Sequence, residues 1–206
     1  MSTGPTIDEL IVAGESEPWM RLGFAVVDGL AQVGTVRLRF AGADAGRGLV
    51  GWSLRDVSST ELDGLATSRA SSESAEPGRH SNGAVRIDHV VVLTPDLDRT
   101  FAALEAAGMK LRRVRDAGAL QQGFFRLGEV ILEVVGGAPD ADADGPAAFW
   151  GVVFVTEHID DLADRLGEQL GSVKDAVQPG RRIATVRSAA GLGLPVAFIS
   201  PEPPRA

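Results

Sequence analysis

A strand-into-helix pattern recurs along the chain, and this constrains the fold more than any other feature of its 206 residues. Arg86-Ile-Asp-His-Val-Val-Val-Leu-Thr-Pro-Asp-Leu-Asp is an apolar strand running into an acidic, capped helix start. Phe149-Trp-Gly-Val-Val-Phe-Val-Thr-Glu-His-Ile-Asp-Asp repeats it, and Thr6-Ile-Asp-Glu-Leu-Ile-Val-Ala-Gly is a shortened version. A repeated unit of this size cannot bury its apolar face alone. The copies must pack together, and each predicts what the others carry at matching positions.

Two breaks separate the copies. Residues 58–85 are rich in Ser, Glu, Gly and Ala, contain Pro77-Gly78, and read as a linker with an exposed His80. Residues 136–146 form a second, shorter connection. The segments between them are 6–57, 86–136 and 147–201.

In the middle segment, the β-branched run at 87–93 predicts a buried strand. Thr94 as N-cap, Pro95 at the first helical position, and Asp96 and Asp98 near the positive helix end mark a helix start. Leu97, Phe101, Leu104 and Ala107 recur at helical spacing, and Gly108 ends the helix. Strands follow at 109–115, 122–127 and 130–135, the last two joined by a tight turn at Gly128-Glu129. The order is β-α-β-β-β. In the last segment a strand at 150–155 and an N-cap at Thr156 precede a helical stripe of Ile159, Leu162, Leu166 and Leu170. Gly171 closes that helix, and strands at 181–187 and 194–200 complete the unit. The first segment predicts strands at 7–12, 32–40 and 48–54 around a brief helix at 18–22. The fold class is α+β.

Composition narrows the functions. The net charge is −8 and no cluster of basic residues with interleaved aromatics occurs, which argues against nucleic acid as a partner. No apolar run approaches the roughly 20 residues of a membrane span, and no secretory signal pattern opens the chain. With no cysteine, thiolate metal sites, disulfides and cysteine nucleophiles are ruled out, and a cytoplasmic location is expected. Lys110 and Lys174 are the only lysines; with abundant Ala and Gly this reads as GC-rich bacterial coding. Asp140-Ala-Asp142-Ala-Asp144-Gly145 matches the start of a calcium loop but lacks its closing Glu, so it reads as a solvated acidic linker.

The chain resembles the vicinal oxygen chelate (glyoxalase/bleomycin-resistance/dioxygenase) superfamily. The residues that carry the resemblance are Ile87-Asp-His89-Val-Val-Val, the Asp96-Leu97-Asp98 helix start, Leu104 through Gly108, and Phe124-Phe-Arg-Leu-Gly-Glu-Val-Ile-Leu-Glu133-Val-Val, with their echo in the last segment. It covers about 86–201 well and 6–57 more weakly. It implies tandem βαβββ modules whose sheets curl into a cup, here the pair 86–136 and 147–201 with a third, shortened N-terminal module. In metal-dependent members, the first and fourth strands of both modules donate His, Gln or Glu ligands into the cup.

On that pattern His89 and Glu133 are the middle module's two ligand positions. A His and a carboxylate facing one apolar cup suit Zn, Fe, Mn or Ni. Such a cation would hold substrate oxygens for lyase, isomerase or dioxygenase chemistry. The echo leaves this set incomplete. Carried over by the spacing of Thr94 and Thr156, the counterpart of His89 is Gly151, and that of Glu133 is Phe198. Ile7 aligned with Ile87 puts Glu9 at the position of His89, a replacement third ligand, with its fourth-strand counterpart near Ser53. The alternative is a non-catalytic cup for a small hydrophobic or cationic molecule, lined by Val91, Leu93, Ile131, Val153 and Phe198. Arg126 is a further candidate for contact with that ligand. Arg181 and Arg182 read as turn residues, and Trp19, Trp52 and Trp150 as interior anchors. The odd, third module predicts pairing across a homodimer.

Overall fold

A computed structural model describes residues 4–70, 76–137 and 144–203. The acidic positions Asp140 and Asp142 lie outside the described residues. The described chain forms two mixed sheets, one of five strands and one of eight.

The larger sheet is built from two copies of one module. In the first, β6 (Ala84–Thr94), α2 (Leu97–Ala106), β7 (Leu111–Ala117), β8 (Leu120–Leu127) and β9 (Val130–Gly136) follow one another. In the second, β10 (Ala148–Thr156) and α3 (Ile159–Leu166) precede three short strands, β11 (Lys174–Asp175), β12 (Arg182–Thr185) and β13 (Val196–Ile199). Each module has its first strand parallel to its fourth. The modules join where β6 and β10 pair antiparallel, so the sheet runs β11-β12-β13-β10-β6-β9-β8-β7. The α+β class and the tandem βαβββ modules are those expected from the repeat. The helix caps differ. Asp96, not Thr94, accepts from the Arg99 N–H at 3.0 Å, because Thr94 turns inward to Thr100. Gly167, with φ of 51°, stops α3 before Leu170.

The smaller sheet contains β1 (Thr6–Ala13), β2 (Leu30–Val33), β3 (Val36–Phe40), β4 (Gly48–Arg55) and β5 (Thr67–Arg69), with α1 (Glu17–Arg21) following β1. The predicted strand at 32–40 is a hairpin turning at Gly34, whose φ is 59°. The pairing repeats the logic of the larger sheet. β1 is parallel to β3 and antiparallel to β4, and β4 is parallel to β5. Thus β4 does not end the first module: it occupies the place that β10 holds beside β6. The premise of a leftover module seeking a partner chain does not hold, since β4 and β5 supply the second half within the chain.

Aromatic residues hold the two sheets together. Phe154 and Phe198, both fully buried, meet Phe24 at ring separations of 4.9 and 6.0 Å, and Trp19 reaches Phe24 and Phe154. Trp52 meets Phe149 at 5.1 Å. Burying each such ring stabilises the fold by roughly 1.5–3 kcal/mol. On the other module, α2 lies so close to the sheet that a Cβ at Gly123 would stand 2.2 Å from the Phe101 ring.

The segment expected to be an open linker is partly structured. It supplies β5, and His80 within it is buried rather than exposed. His80 Nδ1 accepts the Ala25 N–H at 3.0 Å, while Nε2 lies 2.9 Å from the Gln32 carbonyl and donates to it. Its ring also packs on Phe24. Polar composition concealed this clasp, because the imidazole satisfies backbone groups rather than joining an apolar stripe.

Burial lowers the His80 pKa below 6.5, against the opposing effect of its bond to Gln32. The folded protein then resists a proton that the unfolded chain accepts. The clasp carries no pH dependence above about 6.5, and stability declines as pH falls below that value towards the lowered folded pKa. Urea unfolding at about pH 7.5 and about pH 5.5 measures this, and the His80→Gln variant is expected to show a smaller loss between the two.

Candidate functional site

Side chains of β6, β8, β9, β10, β12 and β13 line a cavity of about 400 Å³ in the eight-stranded sheet. Most of its wall is apolar, including Val91, Leu93, Val135, Val153, Ile183 and Ala197. Three polar residues, His89, Gln122 and Glu133, face it from the first module. Trp150 lines it too and is 47% exposed, so this tryptophan is a wall of the cup and not an interior anchor.

A β-bulge sets the polar corner. Along the β6–β10 seam, Val153 pairs with His89 and the next residue, Phe154, pairs with Ile87. Asp88 is the extra residue. Neighbours on a regular strand point to opposite faces, and a bulge re-aims them. Here the Asp88 carboxylate reaches its own neighbour, with Oδ2 at 2.8 Å from His89 Nδ1. Arg181 Nη2 donates to Asp88 Oδ1 at 2.7 Å, and both residues are buried. Burial alone raises the Asp88 carboxyl, but hydrogen bonds and charge from His89 and Arg181 outweigh it and hold the group at about 2. Asp88 is therefore a carboxylate at neutral pH and accepts the Nδ1 proton. His89 is left with Nε2 towards the cup.

Opposite that nitrogen stands Glu133, with Oε2 at 3.8 Å from His89 Nε2. Gln122 Nε2 donates to Glu133 Oε1 at 2.6 Å, and Arg115 Nε donates to Gln122 Oε1 at 2.9 Å. Burial raises the Glu133 carboxyl above its ordinary value, partly offset by the charges of His89 and Arg115. Gln122 and Asp88 were missed in the sequence. The signal for Gln122 was its alternation with Phe124 and Arg126, which share a strand face.

Strand register settles the remaining positions. Val91 pairs with Glu133 on β9, and Val153 pairs with Ala197 on β13. The counterpart of Glu133 is thus Ala197. Phe198, expected in the cup, is one residue out of register and points into the aromatic cluster on the opposite face. Arg126 is exposed and folds back, its Nε donating to the Gly128 carbonyl. Arg181 and Arg182 are not free turn arginines, for they pair with Asp88 and Asp160.

Glu9 lies in the smaller sheet. There Ile11 pairs with Arg39 on β3, so the counterpart of Glu133 is Arg39, and Ser53 answers to Val153 instead. Arg39 Nε donates to Glu9 Oε1 at 2.7 Å, and Arg37 lies 3.8 Å from its other oxygen. Beside them, buried Asp8 is held by Arg37, Arg55 and the Ser53 hydroxyl. The position that carries a His–Glu pair in one sheet carries a closed ion pair in the other.

A family-type metal centre draws ligands from both modules. Here the second module has Gly151 and Ala197 at the matching positions, and the Gln122 carbonyl oxygen already accepts from Arg115. Among the described residues no three His, Cys, Asp or Glu side chains converge. Catalytic metal sites generally need three protein ligands, and two do not meet that need. The donor set does not fit the expected divalent metal.

Comparison with solved structures defines the fold class. A variant of 4-hydroxymandelate synthase from Streptomyces coelicolor superposes with a TM-score of 0.61 at 13% identity, over 98% of this chain and 94% of that one. A xylose isomerase-like TIM barrel/4-hydroxyphenylpyruvate dioxygenase fusion protein gives 0.66 at 13% identity, over 98% of this chain and 49% of the fusion. Methylmalonyl-CoA epimerase from Mycobacterium tuberculosis gives 0.49 at 15% identity, over 60% of this chain and 92% of that one. No protein-family model and no curated protein sequence matches. The chain has the fold of these structures, the one that its resemblance to the vicinal oxygen chelate superfamily implies. No helix among the described residues is long and apolar enough to cross a membrane.

Two outcomes are expected. Added Zn²⁺ or Mn²⁺ leaves the Tm of the protein unchanged; a rise of several degrees that His89→Ala abolishes would restore the metal reading. Arg181→Met removes the buried cation paired with Asp88, leaving His89 and the more distant Arg86, and costs about 3–5 kcal/mol in urea unfolding. Adding Asp88→Asn to that variant recovers part of the loss, because the stranded charge is gone.

Proposed function

We propose that this protein binds a small, mostly apolar molecule in the cup, with one polar group of that molecule against His89 and Glu133. The observation that carries this reading is the cavity of about 400 Å³, lined by apolar residues apart from His89, Gln122, Glu133 and Thr185. Small-molecule sites usually measure roughly 300–1,000 Å³, with apolar walls and a few placed polar groups. Gly151 and Ala197 stand where a second set of ligands would project, so space replaces coordination. A donor group on the ligand suits the lone pairs of Glu133 that Gln122 leaves unused.

One observation favours a second reading, proton transfer on the bound molecule without a metal. Asp88 orients the His89 ring, which is how enzymes hold an imidazole for acid–base work. Its signature is a turnover that Asp88→Asn lowers while ligand binding persists.

The test of the first reading is a titration with N-phenyl-1-naphthylamine, a neutral apolar dye that fluoresces when shielded from water. The native protein is expected to bind it saturably, and Ala197→Phe, which fills the cup, to weaken binding at least about tenfold. Equal binding by that variant, or none by the native protein, would overturn the reading.

A further inference from the structure

We infer that the cup has an anion-binding annex, formed where the two halves of the chain meet, and that it takes an oxyanion carried by the cup's ligand. This rests on the proposed role of the cup as a small-molecule site. A recess of about 290 Å³ lies beside the cup, and Thr185 and Pro195 line both. The two spaces therefore share a wall. Arg47, from the turn before β4, and Arg187, from the turn after β12, line the recess together with Ser188 and Gly193. The halves approach closely at this point, since a Cβ on Gly48 would stand 3.4 Å from the Gly193 carbonyl.

Charge marks the recess out. The chain carries a net charge of −8, yet no acidic side chain lines this space. Most other arginines near the cup are committed: Arg181 to Asp88, Arg86 to Glu202, Arg115 to Gln122 and Arg182 to Asp160. Arg47 pairs with nothing among the described residues. Arg187 Nε donates to the Leu170 carbonyl at 3.3 Å, which anchors the side chain and leaves its terminal nitrogens for another acceptor. Two guanidinium groups and a hydroxyl lining one recess suit the oxygens of a carboxylate, sulfonate or phosphate. The ligand class that follows is an apolar body carrying one oxyanion, the body in the cup and the anion in the annex.

Two dyes with one aromatic skeleton test this. N-phenyl-1-naphthylamine is neutral, and 8-anilinonaphthalene-1-sulfonate adds a sulfonate. The native protein is expected to bind the sulfonate about tenfold more tightly at low salt, an advantage that shrinks as salt rises. Arg47→Gln combined with Arg187→Gln should remove that advantage and leave the neutral dye unaffected. Arg47→Gln alone, at an exposed side chain with no partner among the described residues, should remove part of it without disturbing the fold. Arg182→Gln serves as the charge-matched control and should change neither dye. If the neutral dye binds but the sulfonate gains nothing, or keeps its gain in the double variant, the annex is overturned and the cup survives. If neither dye binds, both fall.

Discussion

The antiparallel seam between β6 and β10 is the constraint on which the rest of the cup depends. It joins two four-stranded modules into one curved sheet and sets which residues of each face the interior. It also contains the irregularity that creates the polar corner. A regular ladder would send Asp88 and His89 to opposite faces. The extra residue brings them together, and His89 and Arg181 then keep Asp88 ionised inside the protein. A buried ion pair of this kind adds little net stability, because desolvation offsets attraction. Its value lies in orientation: it leaves one nitrogen of one imidazole directed at Glu133.

The smaller sheet repeats that seam between β1 and β4, with a different outcome. Glu9 stands in the place of His89 and Arg39 in the place of Glu133, and the two neutralise each other. Gly51 and Gly151 occupy matching places beside the two seams, opposite Ile11 and Val91. The same frame stands in both halves, while the matching positions hold His89 and Glu133 in one and the Glu9–Arg39 ion pair in the other.

The fold was largely legible because it rests on periodicity. β-Branched runs, helix stripes and turn glycines are local, and the repeat supplied the order of strands. The site was legible only in part. His89 and Glu133 followed from alternation along their own strands. Ala197 did not, because it depends on how β13 registers against β10, and a slip of one residue exchanges it with Phe198. Asp88 was hidden for the same reason: nothing in Ile-Asp-His announces a bulge. His80 was misread as exposed because its partners are backbone groups far away in sequence. Arg39 escaped notice because β3 was fused with β2 into one predicted strand.

The aromatic cluster behind β10 and β13 bears on the energetics of ligand capture. Phe154 and Phe198 press against Phe24 and Trp19, so the convex side of the second module is braced by the other half of the chain. A braced wall has little freedom left to lose when a guest arrives. The entropic penalty of ordering the receptor is then small, and selectivity falls to shape and to the placement of a few charges. For a guest of the kind proposed for the cup, discrimination would then lie chiefly in how long it stays, not in how it remodels the wall.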